Sequence, residues 1–322
     1  VLADDIRRTS GNLVVTGVEM GGGPVSQALI ARAQTAEVVM SASAAATIHH
    51  DLYRVSAQGI RVVSDAEADS LRRAPHVTLV RTADLQWERV RSIVRGFGVD
   101  FDFDAVAICA QDHGVAPTGV SHLDFRHRMF TAVLNDNPSP QALLYGSDQV
   151  PKQMNRLTAI AKDAERLPTG RVYVMDSGMA AILGASKDRL AADCERVLVL
   201  DIATSHTVGA AVENGCLCGF FEYHTTDITS SRLDRLLTDL ADGRLSHEGI
   251  LAEGGHGAYI RSAFGYDGVE LILATGPRRR LATDSTLPIA FGAPWGDNMM
   301  TGTVGLLEAV RLREGLPSLD YL

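Results

Sequence analysis

The sequence is short of cysteine, of aromatic residues and of positive charge. Its 322 residues include only four cysteines, Cys109, Cys194, Cys216 and Cys218, and none forms a C-x-x-C pair. That spacing excludes the usual zinc knuckle and leaves reduced, structural thiols as the expectation, with Cys216 and Cys218 facing one side of a strand. The formal net charge is -9, and Arg278 to Arg280 is the basic run. No excess positive field exists to meet a phosphate backbone, so a nucleic-acid partner is not expected. No apolar run approaches the ~20 residues that span a bilayer, and no secretory signal opens the chain, which points to a cytoplasmic protein without a membrane partner. The chain starts at Val1 without clear periodicity through Ser10, the reading being a trimmed N-terminus.

What is present is the composition of a globular protein, 46% hydrophobic and 21% charged. The stretch from Val197 to Thr226 organises the rest. Four apolar residues, Val197 to Leu200, run into Asp201, so a buried strand ends in a carboxylate. The polar loop Thr204, Ser205, His206 and Thr207 follows. A second apolar run, Val208 to Val212, reaches Asn214-Gly215, a hairpin signal because both positions tolerate positive φ. Cys216 to Tyr223 then completes a three-stranded meander. Its first turn gathers a carboxylate and several hydroxyls, the groups that a phosphate and its magnesium ion require; an ordinary Asx/Thr turn accounts for the same residues.

Other strands also deliver polar residues at their ends. Leu13 to Val18 feeds Gly21, Gly22, Gly23 and Pro24 ahead of a helix over 25–34, a unit that offers free amides to an anion. Asp84 is expected to cap a helix carrying Leu85, Val90, Ile93, Val94 and Phe97 as an apolar stripe, with Gly98 as its stop. The strand Ala105 to Ala110 delivers Gln111, Asp112, His113 and Gly114, and Asp112 or His113 is a candidate general base or substrate ligand. Val172 to Met175 leads to Asp176, then to a helix with small residues at Ala180, Ala181, Gly184 and Ala185. A stripe of Leu233, Leu236, Leu237 and Leu240 marks a core helix after Thr229, while Leu271 to Ala274 reaches Thr275-Gly276, where backbone could approach a flat ligand. A second small-residue helix runs over 301–310. Three strands thus end at or near Asp112, Asp176 and Asp201, and their convergence would make a metal-phosphate or acid-base cluster.

In this order the pieces resemble the actin, heat-shock chaperone and sugar kinase superfamily of ATPases. Asp201 to Thr204 with Thr207 resembles its second phosphate loop, with Ala203 where glycine is usual; 271–276 resembles the adenosine loop. The helices over 180–184 and 301–310 resemble its connecting helices, and 105–114 is similar to the strand and loop by which carbohydrate kinases hold a sugar. More closely, the chain resembles a prokaryotic family labelled "pyruvate formate-lyase activating enzyme-like", through MGGGP at 20–24, QDHG at 111–114, MDSGMAAILGA at 175–185, FEYHT at 221–225, EGGHGA at 253–258 and GDNMMTG at 296–302.

The resemblance implies an α/β, two-domain actin-like ATPase fold related to ribonuclease H, split at about residues 1–190 and 191–322, with its N-terminal phosphate hairpin missing. It further implies ATP and Mg2+ as cofactors: Asp176 and Asp201 on the metal, Thr204, Ser205, His206, Thr207, Gly22 and Gly23 near phosphate, Thr275 and Gly276 beneath adenine, and Asp112, His113 and Asp201 in catalysis. The expected activity is an ATPase or a kinase for a hydroxylated substrate. A non-catalytic nucleotide switch or scaffold is one alternative. A metal-dependent hydrolase using His113, His206, His224 and Asp201, with His256 as an addition, is another. The activase label lacks its chemistry, because the C-x-x-x-C-x-x-C spacing of an iron-sulfur radical enzyme does not occur.

Overall fold

A computed structural model describes residues 1–73, 76–117 and 119–319. The protein is α/β and divides into two compact units, residues 1–106 with 149–172, and residues 107–148 with 173–322. Both units are therefore discontinuous in sequence, a division unlike a single break near residue 190.

In the first unit four parallel strands form one sheet, ordered Arg61–Val63, Val38–Ser41, Asn12–Gly17 and Val77–Thr82. Parallel strands require crossovers, and helices Gly23–Ala33 and Asp65–Leu71 supply two of them. Alternation along Asn12–Gly17 divides the core: Leu13 and Val15 pack with Ile6, Leu29 and Met40, and Val14 packs with Val39, Val63 and Ala68. Gly22 and Gly23 stand at the start of helix Gly23–Ala33, with Pro24 in its first turn. Asp84 departs from the expected role. Helix Trp87–Gly96 begins after Gln86 without a side-chain cap, and Asp84 instead accepts from Arg156 Nε at 2.8 Å. The stripe on that helix is open to solvent, Phe97 being 80% exposed.

The second unit is built on a six-stranded sheet. Its order is Gly257–Ile260, Cys216–His224, His206–Glu213, Arg196–Ile202, Leu271–Thr275, Ile289–Phe291. The first three strands after residue 196 form the expected antiparallel meander, with Asn214 and Gly215 both at positive φ in its second turn. Leu271–Thr275 adds alongside Arg196–Ile202 in parallel, which sets Thr275 opposite Asp201. The leucines of helix Ser230–Ala241 are fully buried against this sheet. One slip in register, between Leu217 and Gly219, breaks the alternation of Cys216–His224. At this irregularity Cys216 is exposed and Cys218 is buried, so the two thiols sit in different surroundings. A three-stranded sheet, ordered Val106–Ala110, Val172–Asp176 and Leu144–Gly146, supplies the remaining strand ends.

The two small-residue helices, Ser177–Ala185 and Thr301–Glu314, cross at backbone distance. A Cβ added to Gly184 would stand 1.8 Å from the Thr301 carbonyl oxygen, and one added to Gly305 would stand 1.8 Å from that of Ala180. No described helix is long and apolar enough to cross a membrane. Either Gly184→Ala or Gly305→Ala must force these backbones apart, so each is expected to cost about 1–3 kcal/mol or more, measured as a fall in the urea midpoint at unchanged slope.

Candidate active site

Strand ends of the second unit converge at one buried guanidinium. Arg126 lies on helix His122–Asp136, whose Ser121 cap fixes the helix start, and is 8% exposed. Its Nη1 donates to Glu222 Oε2 at 2.6 Å, and its Nη2 donates to Asp176 Oδ2 at 3.0 Å. Phe130, one turn along the helix, lies under the guanidinium at 4.4 Å from the ring centroid. Burial would raise the Glu222 carboxyl, but Arg126 and a hydrogen bond with His256 overcome that and hold it well below the usual carboxylate range. Asp176 has the opposite balance. Burial raises it, with Arg126 opposing and the Glu222 charge adding. Its second oxygen, Oδ1, accepts from the Gly178 and Met179 amides, capping helix Ser177–Ala185. Both oxygens of Asp176 are thus engaged, Oδ2 by the guanidinium and Oδ1 by two helix amides.

Beside this network lies a cavity of about 390 Å3, lined by Ser177, Asp201, Thr204, Ser205, His206 and Gly276 among others. That volume falls in the ordinary range for small-molecule sites. Asp201 sits at the carboxyl end of the central strand, where ligands of parallel sheets collect. Burial pushes its carboxyl up to about 6, and among the described residues no hydrogen bond or neighbouring charge offsets the cost. Gly276, at φ +89°, makes room for it. A Cβ there would meet Asp201 Oδ1 at 2.6 Å and the Ile202 carbonyl oxygen at 2.6 Å. Thr204 and Ser205 are exposed in the short turn. Ala203 needs no glycine, since its φ is not positive and its amide bonds the His206 carbonyl at 3.1 Å.

The remaining candidates divide between structure and site. Thr207 is buried and bonds Thr225 at 3.0 Å between hydroxyls, and Thr275 is buried against Thr301, so neither hydroxyl lines the cavity. Asp112 is buried, with Oδ1 accepting the Gly114 amide at 2.8 Å. Gly22 and Gly23 belong to the first unit and are described there. The three aspartates do not form one ligand group. Among the described residues the group that does gather is His206, His224 and His256, each with a ligand atom within 4.8 Å of the others. His113 faces them, its ring centroid 6.1 Å from that of His206 and 6.1 Å from that of His256. Burial, then the Arg126 charge, lowers His113 to about 4, so it is a neutral imidazole at pH 7.

The sequence profile of one family, described as "Putative pyruvate format-lyase activating enzyme (DUF1786)", matches residues 20–281. The chain belongs to the DUF1786 family. No curated protein matches it. All of the residues from Asp112 to Gly276 named above lie inside the DUF1786 match.

Arg126 and Glu222 were not singled out by sequence reasoning. Arg126 sits in an amphipathic helix, and Glu222 lies in an otherwise apolar strand run, FFEY, where a lone acid was the available signal. Arg126→Met, which keeps the length of the side chain and removes its charge, leaves two carboxylates uncompensated. It is expected to cost about 3–5 kcal/mol, measured by denaturant unfolding. The Glu222 carboxyl is depressed in the fold, so its stabilisation is present above about pH 4.3 and lost as pH falls through the native value. Acid unfolding monitored by circular dichroism is expected to flatten in Glu222→Gln.

Proposed function

We propose that the DUF1786 chain binds ATP with magnesium in the cavity at Asp201 and acts as an ATPase or a small-molecule kinase of the actin-like superfamily. The observation that carries this is Asp201: an uncompensated carboxylate at the end of a central strand, with Gly276 from the next parallel strand pressed against it. Such a group is destabilised until a cation or proton meets it, which fits a hard, oxygen-seeking ion. The meander, the parallel strand after it and the two closely crossed helices support the superfamily reading, since these are the pieces that the resemblance requires.

Magnesium, when bound, supplies charge neutralisation at the phosphates, and Asp201 would hold it directly or through water. Thr204, Ser205 and Ser177 hydroxyls line the same cavity and would donate to phosphate oxygens. Gly276 lines the same cavity, and a flat base would lie against its backbone. Phosphoryl transfer asks mainly for positioning and charge neutralisation, so this short inventory suffices. Arg126 is already paired twice and would act through Asp176 and Glu222, which it holds in place.

The family description suggests a different chemistry, activation of a glycyl-radical enzyme. A radical activase binds an iron-sulfur cluster through closely spaced cysteines, whereas Cys109 is half-buried, Cys194 and Cys216 lie apart in sequence, and Cys218 is buried where Cys216 is exposed. No three of them form a ligand group among the described residues. The phosphotransfer reading is therefore preferred.

Titration calorimetry of the full chain with ATP and Mg2+ tests it. Binding is expected for the wild type and is expected to be lost in Asp201→Asn; absent binding, or equal binding by both, overturns the reading. Binding without turnover would instead favour a nucleotide switch. The pH dependence has a definite sign. Because the Asp201 carboxyl is raised to about 6, the fold favours its protonated form, and stability is gained as pH falls through 6. Asp201→Asn is accordingly expected to stabilise the ligand-free protein at pH 7–8 by roughly 2 kcal/mol, the full shift being discounted for partial solvent access, and to make no difference near pH 4. Magnesium competes with that proton, so affinity rises as pH passes upward through 6.

A further inference from the structure

We infer that His206, His224 and His256 form a binding centre for one divalent first-row transition ion, zinc or a zinc-like metal, with a fourth position open. This centre is separate from the magnesium-nucleotide reading, which rests on Asp201.

The sheet itself sets the three rings together. His206 begins one strand of the meander and His224 ends the next, and the two are direct cross-strand partners. The third ligand comes from the neighbouring edge: the His256 amide donates to the Glu222 carbonyl at 2.8 Å, extending the pairing of Gly257–Ile260 with Cys216–His224. Ring centroids lie 4.9 Å apart for His206 and His224, 4.9 Å for His206 and His256, and 4.3 Å for His224 and His256. The Nε2 atoms of His224 and His256 are 3.0 Å apart. Two nitrogens on a tetrahedral zinc, at about 2.0–2.1 Å from the metal, are separated by roughly 3.3 Å, so a small outward shift admits the ion.

A plain histidine pair accounts for part of this but not for His206. One Nε2–H shared between His224 and His256 satisfies both of those rings. The His206 Nε2 is buried and has no hydrogen-bond partner. An unsatisfied buried nitrogen on a ring that sits beside two other imidazoles is costly unless something pairs with it, and a metal ion would satisfy all three rings at once. The outer shell is built as well. The Nδ1 of His256 contacts Glu222 Oε1 at 3.4 Å, which fixes the tautomer and leaves Nε2 for a metal, and Glu222 is itself anchored by Arg126 and Gln111. Three imidazoles are a ligand set suited to zinc, iron, nickel or copper and poorly suited to magnesium. Three protein ligands with an open fourth position is also the pattern of catalytic instead of structural zinc. Because His206 lines the cavity beside Asp201, the open position would border it and could take a water or an anionic oxygen of a bound ligand.

The test uses the full chain, stripped with a chelator and titrated with Co2+ and Zn2+ in the absence of nucleotide. One cobalt ion per chain is expected, with the visible absorption of a low-coordinate site that zinc then bleaches. His224→Ala and His206→Gln are each expected to weaken cobalt binding by more than the ~10–100-fold that loss of an outer-shell partner costs. His224 is exposed, so its variant is expected to keep the wild-type circular dichroism spectrum, and metal should raise the melting temperature of the wild type but not of this variant. Asp201→Asn is expected to bind cobalt like the wild type, which separates failure of this inference from failure of the nucleotide reading. Wild-type protein that takes up no stoichiometric cobalt or zinc, or binding unaltered in both histidine variants, overturns the inference.

Discussion

A single buried positive charge holds the second unit's functional end in place. Arg126 bridges Asp176, which caps one of the crossed helices, and Glu222, which orients a histidine on the neighbouring sheet. Desolvating three ionised groups is expensive, and the arrangement is tolerated because most of the polar atoms find partners: two guanidinium nitrogens, two helix amides, one glutamine and one imidazole. The Arg126 Nε is the exception, buried and unpaired. Replacing the set with apolar residues would give an easier core but would release the helix start and the strand end from each other. The network is best understood as a fixture that sets geometry, with stability as a secondary result.

Much of this geometry could be read from the amino-acid order. The buried run ending in Asp201, the Asn214-Gly215 turn, the leucine stripe and the small-residue helices all announce themselves locally, because a strand or helix period repeats over several residues. Asp201 and Gly276 were legible as candidates for the same reason, each closing an apolar run. His206, His224 and His256 were legible as metal-ligand candidates, but their grouping is non-local: His206 and His224 become partners only through strand register, and His256 joins them through an edge strand that pairs back along the meander. What escaped altogether is the buried charge network. Arg126 meets Asp176 and Glu222 across sequence separations of 50 and 96 residues. A bulge between Leu217 and Gly219, which sequence does not mark, interrupts the alternation on which the Cys216 and Cys218 expectation rested. Asp84 failed differently, since an arginine 72 positions away offered a stronger partner than a helix amide.

The cavity at Asp201 and the histidine cluster on its border call for different chemistry. At one end stands a lone carboxylate whose proton affinity has been raised by burial. At the other stands a cluster of imidazole nitrogens backed by a carboxylate that never gains a proton at ordinary pH. Hard oxygen-bound cations suit the first, and softer nitrogen-bound ions suit the second. His206 belongs to the cluster and also to the cavity wall, so the two regions share one side chain and the short turn that carries it.

The crossing of the two small-residue helices also limits how this unit can change shape. With carbonyl oxygens standing where side chains would be, no layer of rotatable groups lies between the backbones to absorb a displacement. A shift of one residue along either axis would drive a methyl group or larger into a peptide plane. The pair therefore behaves as a keyed joint, locked against sliding, and any movement that accompanies ligand capture must be taken up outside it, in the segments after Ala185 and before Thr301.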